Sequence, residues 1–184
     1  MPLGLTRRDW VLASLGSAAW AAVASAQEHA NHAAESQAPP RFGFFSPAEA
    51  AEISALTGQI LPSDDGPGAR EAGVIYFIDR ALTTFDAGLQ RDYREGLVAL
   101  EDTRKKLFPD SASLAALPQT QQLEVVRAIE KTDFFETVRT HTLLGFLGLP
   151  SYGGNRGRVG WKHIGFENRM GWQPPFGYYD AEAK

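Results

Sequence analysis

Histidines and carboxylates are the residues of this chain that could move protons or hold a metal, because it has no cysteine. That absence excludes a disulfide framework, thiolate metal sites, cysteine-ligated iron–sulfur clusters and covalently attached haem. His29 and His32 stand three apart in a polar, Ala-rich stretch. Two ligands on a tether make a poor site, since structural zinc takes four. Asp64 and Asp65 are a carboxylate pair of the kind that serves acid–base chemistry or calcium. Their spacing fits no calcium loop, and acids ahead of a helix complement its N-terminal dipole. His141 falls on or beside an apolar helical stripe, where a lone histidine reads as a satisfied buried polar group. His163 sits among aromatics with Glu167 as the nearby carboxylate. Gly154, Gly157 and Gly160 are spaced by three but do not form G-x-G-x-x-G. They follow a helical segment instead of a strand, and no helix is predicted after them, so a nucleotide site fails on context. No G-x-S-x-G or H-E-x-x-H occurs.

These residues are carried by helical segments. Ser46-Pro47-Ala48-Glu49 has the form of a capping box with proline at the first helical position. Ile53, Leu56, Ile60 and Leu61 follow as one stripe, and Pro62 ends it. Ser63 to Gly68 is a turn. A second helix is predicted over 69–85, with Val74, Phe77, Ile78, Leu82 and Phe85 inward. Asp79 lies beside that face, where a basic neighbour is its expected partner. A third helix covers 87–107, with Leu89, Tyr93, Leu97, Leu100, Leu107 and Phe108 inward and a solvated face that includes Arg104. Residues 111–117 form a short turn of helix. A fourth helix runs over 118–132 with Leu123, Val126 and Ile129 inward. A last helix runs over 134–146, capped by Asp133, with Phe134, Phe135, Val138, Leu143 and Phe146 inward. No segment alternates with period two. The fold class is mainly α: an irregular bundle of about five helices with a glycine- and aromatic-rich C-terminal tail.

Residues 1–26 read as an export signal. Arg7 and Arg8 precede a weakly apolar run, Val11 to Ala24, and Ala24-Ser25-Ala26 is a small-residue cleavage site. The run is too short to span a bilayer comfortably. The sequence Thr6-Arg7-Arg8-Asp9-Trp10-Val11-Leu12 looks like a twin-arginine signal, with Trp10 where Phe is usual; an ordinary secretory signal is the other reading. Residues 27–44 are expected to be a flexible leader, and residues 45–184 a single helical domain with its tail from about 150. The formal net charge is −4, and without the signal's two arginines and one aspartate it is −5. An acidic chain without a basic cluster argues against nucleic acid as partner.

Half of the 18 glycines lie between Gly145 and Gly177. They surround Tyr152-Gly153-Gly154-Asn155-Arg156-Gly157-Arg158-Val159-Gly160-Trp161 and the aromatics beyond it. Two uses need these residue types: packing aromatics onto the chain's own domain, and docking another chain.

Three stretches together resemble the gluconate 2-dehydrogenase subunit 3 family. They are Ile60-Leu61-Pro62 through Asp65, Gly68-Ala69-Arg70-Glu71-Ala72-Gly73-Val74 on to Phe77-Ile78-Asp79, and Tyr152-Gly153-Gly154-Asn155 with Gly160-Trp161 beyond. The likeness covers about residues 45–180. The segment Pro174-Pro175-Phe176-Gly177-Tyr178-Tyr179 departs from the general pattern. The resemblance implies a non-catalytic accessory subunit of a periplasmic flavin-dependent sugar, sugar-acid or polyol dehydrogenase complex. It implies no cofactor in this chain, FAD on a large partner subunit, haem c on a multihaem cytochrome c subunit that commonly joins such complexes, and joint export by the twin-arginine machinery. Localisation is then periplasmic, with membrane association through the complex left open. On that reading Tyr152, Asn155, Arg156, Trp161, Trp172 and Phe176 are the residues expected to bind the partner, since Trp, Tyr and Arg are common interface anchors. Asn155 has a second role open to it, fixing the loop through its own backbone bonds. Two alternatives stand beside this: a free-standing exported binding protein, and an enzyme using the glycine loop and His163.

Overall fold

The computed structural model describes residues 41–169, which form six α-helices and, among them, no strand. They are α1 (Pro47–Ile60), α2 (Val74–Thr83), α3 (Gln90–Leu107), α4 (Gln119–Ile129), α5 (Asp133–Leu147) and a short α6 (Val159–His163). The export signal with Arg7, Arg8, Ala24 and Ala26, the histidines His29 and His32, and the tail residues Trp172 and Phe176 lie outside the described residues.

Helix α1 starts as its sequence dictates. The Ser46 hydroxyl accepts from the Glu49 amide at 3.3 Å, and the Glu49 carboxylate accepts from the Ser46 amide at 2.8 Å. The Leu61 amide closes the other end on the Thr57 carbonyl, one residue ahead of Pro62. Helix α5 is the hub: it packs on α1, α2 and α3, and α6 lies on it. Helix α4 bridges α1 and α3. Ile53, Leu56, Ile78, Leu82, Tyr93, Leu100, Val125 and Val138 form the centre of the core. Each such side chain stabilises the fold by roughly 1.5–3 kcal/mol.

Several sequence expectations are corrected. The second helix begins at Val74, not Ala69, because residues 69–73 turn back: the Ala69 amide reaches the Leu61 carbonyl and Gly73 takes a left-handed φ of 65°. Asp64 and Asp65 therefore lie nine or more residues ahead of α2 and do not serve its N-terminus. Among the described residues Asp79 takes no basic partner. Its carboxylate accepts three successive amides, Gly43 at 2.8 Å, Phe44 at 2.9 Å and Phe45 at 3.0 Å, and so clasps the chain ahead of α1. The third helix is broken at its start by a 3₁₀ turn, Ala87–Leu89. Arg104 is buried, not solvated: its guanidinium closes the C-terminal end of α3 by donating to the Phe108 carbonyl at 3.1 Å while pairing with Glu101. In α4, Gln122 and Val125 replace Leu123 on the inner face. Thr132, not Asp133, caps α5 through its hydroxyl. Phe85, Leu107 and Leu143, expected inward, are exposed.

Candidate functional site

A helix ends with carbonyls that have no partner within it. At the end of α5 the glycine-rich loop supplies those partners. The Gly148 amide returns to the Leu144 carbonyl at 2.7 Å, the Asn155 amide reaches the Gly145 carbonyl at 2.7 Å, the Trp161 indole Nε1–H reaches the Leu147 carbonyl at 2.6 Å, and Asn155 Nδ2 donates to the Gly148 carbonyl at 2.9 Å. Asn155 Oδ1 then accepts the Gly160 amide at 3.0 Å, which pins the first turn of α6. The Asn155 backbone is left-handed, with φ 45° and ψ 42°, a conformation asparagine tolerates better than most residues. A Cβ at position 154 would collide with the Gly145 carbonyl oxygen, and one at position 160 with the Phe146 carbonyl oxygen. The Gly-Gly-Asn…Gly-Trp spacing is thus the stereochemistry of a loop laid flat on a helix end.

This elbow gathers the other two motif stretches. The Arg156 amide donates to the Ala72 carbonyl at 3.0 Å. Its guanidinium lies 3.6 Å from the centre of the Tyr76 ring, on which Phe42 also stacks at 5.3 Å. A Cβ at Gly73 would come 2.6 Å from Arg156 Cδ, so glycine there is what lets the arginine lie down. Burial pulls the Arg156 pKa below the ordinary guanidinium value, with Tyr76 acting in the other direction. The turn around Gly66 packs against the His163 ring at the end of α6.

The structure divides the residues expected to bind a partner. Tyr152 is 44% exposed, with its ring edge-on to exposed Phe85 at 5.8 Å. Arg156 is half-buried. Asn155 has no exposed surface and Trp161 keeps 7%. Both hold the elbow from within, which for Asn155 is the loop-fixing role. The sequence reading also missed α6. Its N-terminus has no Ser, Thr, Asp or Asn cap and is entered through left-handed Gly157 and Arg158.

The possible acid–base groups resolve differently. His141 is buried, with Nδ1 2.8 Å from the Tyr93 hydroxyl and Nε2 3.2 Å from Asp86. An Nε2–H donating to Asp86 leaves Nδ1 to accept from Tyr93. Burial lowers the His141 pKa against the opposing pull of Asp86, and burial raises that of the Tyr93 hydroxyl. This is the satisfied buried histidine that the stripe suggested. Exposed His163 gains no carboxylate from Glu167, which pairs with Arg169. A cleft of about 280 Å³ lies between Arg41, Tyr76, Asp79, Arg80 and Gly153. Its Asp79 is held by the three amides, and Arg80 donates to the Ser151 carbonyl. Among the described residues no group of three or more His, Asp or Glu is arranged to hold a metal, and no helix is long and apolar enough to cross a membrane.

Neither the curated proteins nor the solved structures contain a match to the chain. A sequence model described as gluconate 2-dehydrogenase subunit 3 matches residues 47–168, which take in all three motif stretches.

Proposed function

The chain belongs to the gluconate 2-dehydrogenase subunit 3 family, and from that premise we propose that it is the non-catalytic small subunit of a periplasmic FAD-dependent dehydrogenase acting on a sugar, sugar acid or polyol. It binds the flavin-carrying subunit and accompanies it through twin-arginine export. Flavin chemistry resides on the partner, and haem c on a cytochrome subunit where one is present.

The observation that carries this reading is the elbow itself. Its most constrained residues, Gly154, Asn155, Gly160 and Trp161, are occupied in closing the end of α5. What the elbow turns outward is Tyr152 beside Phe85, with Arg156 held against Tyr76. That is a rigid aromatic and cationic platform of the kind that anchors protein interfaces. The twin-arginine-like sequence at Arg7-Arg8 supports joint export, because that route carries folded proteins together with what is bound to them.

The test is affinity capture of the tagged full chain from the periplasm of its own cells, with flavin absorbance and protein identification. One flavoprotein per chain, and its retention in the cytoplasm when Arg7-Arg8 are changed to Lys-Lys, is the expected result. A flavin-free preparation would overturn the assignment.

A further inference from the structure

We propose that the outer face of α5 and the elbow that follows it dock the flavin subunit, and that the matching face of that subunit has an apolar centre and an acidic rim; this rests on the reading above and adds the surface and the chemistry of its complement.

Helix α5 turns one face to α1, α2 and α3 and, among the described residues, leaves the other uncovered. On that outer face its first half is polar, with Glu136 paired to Arg139. Its second half is apolar: Leu143, Leu144 and Leu147 are 41%, 49% and 40% exposed. Three leucines at spacings of one, three and four project from one side of a helix. Leu149 continues the patch beyond the helix end, and the elbow adds Tyr152. The remaining exposed large apolar residues of α3 and α4, Val98, Leu107 and Leu123, stand apart in sequence and form no such row. An apolar helix face that no other described residue covers marks an interaction surface.

Charge identifies the occupant. Residues 41–132 carry ten Lys and Arg against fourteen Asp and Glu, a net of −4. Residues 133–169, which hold α5 and the elbow, carry Arg139, Arg156, Arg158, Lys162 and Arg169 against Asp133, Glu136 and Glu167, a net of +2. The segment bearing the leucine face is therefore basic in an acidic chain. A complement that both buries the leucines and meets those cations is apolar at its centre and acidic around it. A second copy docked through the same face presents the same basic rim and would repel it.

The experiment compares flavoprotein capture by the wild-type full chain with capture by Leu143→Asp/Leu144→Asp, Lys162→Glu and the control Val98→Asp, each checked for unchanged helical circular dichroism. A loss of roughly tenfold or more in the leucine variant is expected, the scale of removing an interface anchor. Lys162→Glu should weaken capture and flatten its salt dependence, while Val98→Asp should change nothing. Carbodiimide treatment of the wild-type complex should join Lys162 to a carboxylate of the flavin subunit. If the wild type captures the flavoprotein and the leucine variant captures it equally, the docking surface is wrong and the functional reading stands. If the wild type captures none, the functional reading itself falls. Two results would assign the face to another occupant and overturn the proposal: a wild-type dimer that the leucine variant converts to monomer, or α5 amides that lose exchange protection in the isolated chain when residues 170–184 are removed.

Discussion

Asn155 shows how one side chain can fix a whole junction. Its amide and carboxamide satisfy two carbonyls at the end of α5, and its Oδ1 and carbonyl organise the entry to α6. Asn155→Ala removes both side-chain bonds and leaves an alanine in a left-handed conformation. A destabilisation of about 2–4 kcal/mol is expected in denaturant unfolding. Asn155→Asp keeps the acceptor and loses the donor, and should fall between the two. His141 gives a pH signature whose sign follows from burial. Its folded-state pKa lies below the ordinary 6.5, so above that pH both folded and unfolded states hold it neutral and stability is full. As pH falls below 6.5 the unfolded state takes the proton first, and stability declines until the folded pKa is passed. The unfolding midpoint should therefore drop with acidification below pH 6.5, and His141→Gln should flatten that slope. Trp161→Phe removes one indole hydrogen bond and should cost about 1 kcal/mol in the same assay.

The elements were legible where capping chemistry and periodicity agreed. The box at Ser46–Glu49 and the stop at Pro62 placed α1, and Ser46→Ala should lower the thermal midpoint by the equivalent of about 1 kcal/mol. Legibility failed where one helix has two apolar sides. In α5, Leu143 lies close enough to the inward stripe to be assigned to it, yet Thr142 and Gly145 take the buried positions. Gly145 is there because a Cβ would press on Phe77 at 3.1 Å, and because its carbonyl must receive the elbow. Neither reason is visible before α2 and the loop are placed. Arg104 is a related case: nothing local reveals that a guanidinium will satisfy the carbonyls where α3 ends. The elbow's dense glycines announced close approach, but not what was approached. Gly154→Ala or Gly160→Ala sets a methyl against a backbone carbonyl that cannot swing aside. Either should loosen the contact of α6 with α5, read as faster amide exchange at Gly160 and Trp161.

At the scale of the molecule, an acidic helical body carries a basic, leucine-faced end; the Tyr152–Trp161 motif lies inside that end, and the other two motif stretches pack against it. The glycines, Asn155 and Trp161 preserve the shape on which Tyr152, Arg156 and the α5 leucines are displayed. Substitutions within the motif should therefore lower stability and assembly together, whereas those on the leucine face should lower assembly alone. The clasp at Asp79 draws a different line, one that concerns anyone who cuts or joins this chain. The family match begins at Pro47, yet the amides that hold the Asp79 carboxylate belong to Gly43, Phe44 and Phe45. A fragment trimmed to the matched region would lose all three amide donors to the Asp79 carboxylate and would take Phe45 out of the core. The smallest piece that should express as a well-behaved protein begins by residue 42, and a fusion partner or purification tag belongs ahead of that point.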